Sequence, residues 1–314
     1  MSGGIVIKST GSWFSVKTGS GMTVDCKLKG NFRIRDLKST NPVAVGDHVE
    51  ISLLEQEGDN PSSPVGLITD IVDRKNYIIR KSPNLSKQYQ IIASNIDQAF
   101  LIATINYPVT TTTFIDRFLA SAEAYRIPCS LIFNKIDRYN PGQMGQMQKL
   151  MEIYRKIGYR CLETSARKNH GINEVKELMK GKISVFSGHS GVGKSTLINN
   201  VEPRLNLKTR EISDYHEMGK HTTTFSEMFE LSFGGFIIDT PGIKGFGMLE
   251  MEKEEIGHYF PEIFQRLKKC QYSNCTHTHE PGCEVKRAVA EKEIAESRYL
   301  SYLGLLEPDK RYRS

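Results

Sequence analysis

A chain of 314 residues, 39% hydrophobic and 25% charged, is long enough for two or three domains and has the composition of a folded globular protein. Its net charge of +6, from 42 Lys and Arg against 36 Asp and Glu, is compatible with an anionic partner without requiring one. No run reaches the roughly 18 apolar residues of a membrane span, the first residues carry no apolar signal core, and no repeat or low-complexity tract is present; a membrane or disordered protein is excluded and a cytoplasmic location expected.

Residues 1–73 read as short strands broken by glycines, with no helical period. A small all-β unit of this kind suggests a five-stranded barrel of the OB or SH3 type. Its first forty residues carry Lys8, Lys17, Lys27, Lys29, Arg33, Arg35 and Lys38 against Asp25 and Asp36, with Trp13, Phe14 and Phe32 nearby. Basic strands interleaved with aromatics suit RNA, and they equally suit a solvated surface over an aromatic core.

From about residue 95 the texture changes to strands alternating with amphipathic helices. Ala99 to Ile105 predicts a strand, Phe114 to Tyr125 a helix, Cys129 to Phe133 a strand, and Gln146 to Ile157 a helix. Asn173 to Met179 follows as a helix and Ile183 to Phe186 as a strand. That rhythm implies a parallel sheet covered by helices, here assigned to 85–248. The remainder, 249–314, reads as helical, with a cysteine cluster and then one charged helix from Glu284 to Leu303.

Gly188, His189, Ser190, Gly191, Val192, Gly193, Lys194 and Ser195 match the Walker A pattern in full, between a strand and the helix that Thr196 begins. Glycines there let backbone N–H groups turn inward around phosphates at a helix N-terminus. Lys194 would neutralise β- and γ-phosphate oxygens, and the Ser195 hydroxyl would ligate Mg²⁺. Asp239, ending the strand from Phe236, would hold Mg²⁺ through water, and the Gly242 N–H would sense the γ-phosphate.

Asn134, Lys135 and Asp137 follow the strand ending at Phe133. Guanine presents N1–H and an exocyclic amine, so a carboxylate that accepts from both rejects adenine. Asp137 supplies that carboxylate, with Asn134 and Lys135 bracing base and loop. Thr164, Ser165 and Ala166 fit the accessory loop whose backbone contacts guanine O6. These base-reading motifs precede the phosphate motifs, the reverse of an ordinary GTPase, as circular permutation would leave them.

Cys270, Cys275, His277 and Cys283 place three thiols and an imidazole within fourteen residues. Such sulfur and nitrogen donors suit tetrahedral Zn²⁺, and four protein ligands leave no open catalytic position. His279 is an alternative ligand. Cys26, Cys129 and Cys161 read as buried free thiols.

With Gly219 to Thr224 added, these motifs resemble those of the RsgA/YjeQ family, the circularly permuted GTPases of small-ribosomal-subunit maturation, and the resemblance spans nearly the whole chain. It implies an N-terminal OB-fold, a central permuted α/β P-loop GTPase domain and a C-terminal helical zinc-binding domain. It implies GTP and GDP, Mg²⁺ and one structural Zn²⁺, with the 30S subunit and 16S rRNA as partners, no DNA or membrane partner, and a monomer. It favours His277 over His279 as ligand, makes Thr223 the switch threonine reaching Mg²⁺, and makes His221 the orienter of attacking water. Ile243 stands where Ras-like enzymes place a water-positioning glutamine, so another group must fill that role. Gly191 stands where potassium-activated GTPases often carry Asn, so a potassium site is not expected. The alternative is a non-catalytic RNA-binding scaffold that guanine nucleotide merely stabilises.

Overall fold

All but the first of the N-terminal strands bury alternate side chains, the signature of a sheet with one face in a core. In the computed structural model, which describes residues 2–29, 42–54, 65–81, 89–207, 226–239 and 252–307, they are β1 (Ser2–Ser9), β2 (Phe14–Thr18), β3 (Thr23–Leu28), β4 (His48–Leu53) and β5 (Val65–Ile71). β1 pairs with β2, β2 with β3, β3 in parallel with β5, β5 with β4, and β4 returns to β1, so the sheet closes on itself as a five-stranded barrel. Val6, Phe14, Val16, Val24, Cys26, Val49, Ile51 and Ile68 fill it. Arg33, Arg35, Lys38, Phe32 and Asp36 lie outside the described residues.

The described residues form two compact units. The first comprises Met1–Ala99, Ile172–Ser187 and Ser195–Gly247. Beyond the barrel it holds the hairpin β6 (Tyr77–Lys81) and β7 (Tyr89–Ser94), which the sequence reading did not place. Buried Asp47 fastens this hairpin to the barrel, accepting from Arg74 Nε and Nη2 (both 2.6 Å) and from Ser94 Oγ (2.6 Å). The same unit contains α3 (Ile172–Met179), β11 (Ile183–Ser187), β12 (Glu227–Glu230) and β13 (Phe236–Asp239). β11 runs parallel to β13, β12 antiparallel to it, and β12 meets β1 at Glu227 and Lys8.

The second unit comprises Phe100–Gly171, Gly188–Lys194 and Met248–Ser314. β8 (Gln98–Ala103), buried along its whole length, enters it from the first unit. It continues with α1 (Thr112–Ala124), β9 (Cys129–Phe133), α2 (Pro141–Ile157) and β10 (Arg160–Glu163), β9 and β10 lying parallel. α2 starts five residues earlier than its apolar period suggests. Asn140 caps it through a reciprocal box with Gln143, and Pro141 takes the first turn, where a missing N–H costs nothing. α4 (Lys194–Val201) leaves the phosphate loop.

The tail holds α5 (Lys253–Ile256), α6 (Pro261–Phe264), α7 (Glu284–Ala290) and α8 (Glu296–Leu306). The single charged helix expected from Glu284 to Leu303 is therefore two. The chain breaks after α7 because Lys292 turns left-handed (φ 61°) and the Glu293 and Ile294 N–H groups both return to Ala288 O (2.8 and 3.1 Å). That turn sinks Ile294 into a core with Phe260, Ile263, Val285 and Tyr302.

Candidate functional site

The phosphate loop is a backbone structure that only glycine permits. Gly188, Gly191 and Gly193 have φ of 152°, 82° and 93°. A Cβ on Gly188 would lie 2.7 Å from Ile102 O, and one on Gly193 would lie 2.5 Å from Asn134 Nδ2. Val192 is fully buried and pins the turn, while His189, Ser190 and Gly191 are exposed. Lys194 opens α4, whose first turn carries half-buried Ser195 and Thr196. A bare, glycine-shaped cradle ahead of a helix fits a phosphate chain, because side chains would fill the space its oxygens need.

The base-reading residues are joined to that loop by direct hydrogen bonds. Asn134, 1% exposed, donates from Nδ2 to Val192 O (2.9 Å). Its Oδ1 accepts from Thr164 Oγ1 (3.0 Å) and from the Ala166 N–H (3.1 Å). Lys135, left-handed at φ 67°, donates from Nζ to Gly191 O (2.5 Å) and Tyr107 O (2.6 Å). Burial and the neighbouring Arg138 push its pKa down, while Asp137 opposes them. Asp137 is exposed on the 3-10 turn Ile136–Arg138, and the buried Ser165 hydroxyl donates to its Oδ1. Ser165 is itself held by the Lys168 N–H (3.1 Å). Asparagine thus locks three loops together, and the carboxylate that can read a base faces solvent with one oxygen already oriented.

Thr223, His221, Gly242 and the stretch from Gly219 to Thr224 lie outside the described residues. For Asp239 the structure describes the backbone alone, at the end of β13.

In the tail, one ligand atom from each of Cys270, Cys275, His277 and Cys283 lies within 4.8 Å of the others. His277 Nδ1 stands 3.6 Å from Cys270 Sγ and 3.4 Å from Cys283 Sγ. Ordinary Zn–S and Zn–N bonds at tetrahedral angles give an S···N edge of about 3.6 Å, so the donor set fits Zn²⁺. His277 is left-handed (φ 59°), and its carbonyl accepts from Tyr299 Oη (2.6 Å). Glu280 ties the loop, accepting from the Thr276 N–H and hydroxyl (both 2.6 Å) and from the Thr278 and His279 N–H groups (3.0 and 3.1 Å). Burial would raise the Glu280 carboxyl, but these hydrogen bonds outweigh it and hold the pKa at about 2. The His279 ring meets Thr278 Oγ1 rather than the thiols.

The model described as RsgA GTPase matches residues 71–249, more than half of the chain, and the model described as RsgA N-terminal domain matches 3–59. The chain belongs to the RsgA GTPase family. It is 58% identical over 304 residues to the small ribosomal subunit biogenesis GTPase RsgA of Bacteroides fragilis strain YCH46, covering 97% of this chain and 96% of the relative. It is 55% identical over 312 residues to that of Flavobacterium psychrophilum, covering 99% and 94%. The structure of YjeQ from Thermotoga maritima superposes with a TM-score of 0.78 at 37% identity, covering 97% of both chains. That of YloQ, titled a circularly permuted GTPase, gives 0.73 at 28%, covering 98% and 94%. The protein is accordingly a GTP-hydrolysing enzyme of circularly permuted fold, with an N-terminal barrel and a Cys3His tail.

Sequence reasoning missed several residues that shape this RsgA-family site. Tyr139 Oη donates to Asn134 O (2.6 Å) and accepts from the Ile105 N–H (2.8 Å). The Phe114 and His189 rings meet at a 31° tilt with centroids 3.7 Å apart. Arg298, a basic residue of the last helix, is 1% exposed. It forks onto Glu262 (2.6 and 3.1 Å) and reaches Asp116 Oδ1 of α1 (2.8 Å), which also takes the Tyr154 hydroxyl (2.9 Å). Arg287 is held by Glu284, Glu291 and Glu293. The Arg298 contacts span long sequence separations that no spacing rule announces, whereas the Arg287 pairs with Glu284 and Glu291 follow i,i+3 and i,i+4 spacing.

Proposed function

We propose that this chain is a GTP-dependent switch in late maturation of the small ribosomal subunit, hydrolysing GTP when it meets the 30S particle. The observation that carries the reading is the Asn134 bridge, which unites a guanine-type carboxylate loop with a glycine phosphate cradle. The relatives, small ribosomal subunit biogenesis GTPases, supply the partner.

In this reading Asp137 accepts from guanine N1–H and the exocyclic amine, while the Ala166 side of the accessory loop faces O6. Lys194 would balance the β- and γ-phosphate charge, and Ser195 and Thr223 would hold Mg²⁺, with Asp239 doing so through water. The metal supplies charge neutralisation at the phosphates. Water, oriented by His221, attacks the γ-phosphorus; the bond to the β-phosphate oxygen breaks, and GDP and phosphate leave. The Gly242 N–H senses the γ-phosphate. Zn²⁺ held by the four tail ligands is structural, since no ligand position is left open. Residues 1–73 act as an OB-fold that contacts 16S rRNA, 85–248 as the GTPase domain and 249–314 as the zinc domain, in a cytoplasmic monomer. Among the described residues no helix is long and apolar enough to cross a membrane.

The test is nucleotide turnover with and without purified 30S subunits, with ATP as control. GTP-selective turnover that rises strongly with 30S is expected. Asp137→Asn should weaken GDP binding at least about tenfold, from lost charge-assisted hydrogen bonds, and favour xanthosine nucleotides. Turnover indifferent to 30S would remove the ribosomal switch and leave a nucleotide-stabilised scaffold.

A further inference from the structure

Between β8 and α1 the chain forms a loop that no motif predicts, and it touches both halves of the nucleotide site. Its base is tied shut. The Thr104 N–H donates to Thr110 Oγ1 (3.0 Å), the Thr110 N–H to Thr104 O (2.9 Å), and the Thr104 hydroxyl to Pro108 O (2.6 Å). Thr104 is fully buried and Thr110 is 6% exposed, whereas Tyr107 and Val109 at the apex are 59% and 61% exposed.

From that apex Tyr107 grips the two residues on either side of the Ile136–Asp137 pair. Its carbonyl accepts from Lys135 Nζ (2.6 Å), and its ring lies 4.9 Å from the Arg138 guanidinium. The same Lys135 amine donates to Gly191 O (2.5 Å), and a Cβ on Gly191 would sit 3.6 Å from Pro108 Cδ, so the loop reaches the phosphate cradle as well. Tyr107 holds a left-handed backbone (φ 58°), which disfavours any residue with a Cβ, and its exposed ring gains little from burial. Core packing therefore does not account for a tyrosine here. The ring's contact to the Arg138 guanidinium does, while the carbonyl bond from Lys135 fixes the backbone beside it.

We propose that Tyr107 is a positioning residue for guanine-nucleotide binding, clamping the flanks of Asp137 so that the carboxylate is aimed before a base arrives. This rests on Asp137 being the guanine reader. A clamp on Asp137 acts on the exocyclic amine that it accepts from, so loosening the clamp erodes discrimination against inosine nucleotides, which lack that amine.

The experiment measures dissociation constants of GDP, IDP and ADP for the full-length wild type, Tyr107→Ala and Tyr107→Phe, with apo melting temperatures as the folding control. Tyr107→Ala should weaken GDP about threefold, the scale of an exposed cation–π contact, and lower the GDP-over-IDP preference by a similar factor. Tyr107→Phe keeps the ring and should restore both values. Wild-type GDP affinity and preference in Tyr107→Ala would overturn the proposal. So would a loss of affinity with the GDP-over-IDP ratio unchanged, which assigns the loop a purely structural role. Failure of the wild type itself to prefer GDP over IDP and ADP would remove the base-reading assignment, and the clamp with it, and is recognisable without any variant.

Discussion

The base-reading corner and the Cys3His loop solve the same problem, holding a ligand's contacts in place, by opposite means. Around Asn134 the protein completes its own hydrogen bonds: amide to Val192 O, carbonyl oxygen to Thr164 and Ala166, backbone carbonyl to Tyr139. That corner is organised by protein atoms alone. In the tail, three thiols and the His277 ring converge on one another, and thiols are weak hydrogen-bonding groups, though Cys283 Sγ also accepts from the Lys286 N–H (3.5 Å). Such a donor set is one that Zn²⁺ would draw together, so the two sites should differ in what their folding depends on.

The largest expected effect comes from removing metal. Structural Zn²⁺ sites bind with roughly 10–16 kcal/mol in small peptides at neutral pH, and that energy is folding energy. Chelation, or Cys275→Ser, should strip amide protection from residues 270–283 and α7, measured by hydrogen exchange. GDP affinity, titrated in parallel, should change by less than about threefold if the base corner is self-sufficient. A collapse of nucleotide binding on chelation would break the comparison. It would also point to the Arg298–Asp116 pair as the connection, since that contact joins α8 to α1 and the Phe114 ring of α1 packs against His189.

Asn134→Ala attacks the other side. The change leaves Val192 O, Thr164 Oγ1 and the Ala166 N–H without their partner in a buried place, and an orphaned buried group costs about 1–3 kcal/mol. GDP affinity should fall about tenfold or more, with protection across 270–283 unchanged. An unaffected affinity would mean that the loops find their geometry without the amide.

Both sites were legible in the sequence because their chemistry demands particular residues at particular spacings. Glycines at 188, 191 and 193 are required by backbone angles, and thiols at 270, 275 and 283 form a set that suits a soft metal. The barrel was legible from alternation, which β2 keeps strictly: Phe14, Val16 and Thr18 inward, Ser15 and Lys17 less buried. What stayed hidden depends on partners far along the chain. Tyr107 meets residues 28 and 31 positions away, and Arg298 meets one 182 positions away, so neither carries a local signal. The break between α7 and α8 escaped because Lys292 is an ordinary helix former; the turn is imposed by Ile294 entering the core.

Glu280 sharpens the comparison at its smallest scale, because it does for the His277 loop what Asn134 does for the phosphate loop. Its carboxylate gathers N–H groups of Thr276, Thr278 and His279, and those bonds hold its pKa at about 2 against the ordinary 4.5. A carboxyl depressed on folding contributes stability that is fully present above its unfolded pKa and is lost as pH falls toward the folded value. The contribution should therefore be intact at pH 6 and disappear between about 4.5 and 2. Thermal melts of wild type and Glu280→Gln across that window isolate it, since acid release of a metal affects both proteins alike. The variant should be the less stable at pH 6, and the gap should close as pH approaches 2. A gap that stays constant would show that the glutamine accepts the same bonds and that the charge adds nothing, leaving the loop as dependent on metal as its thiols.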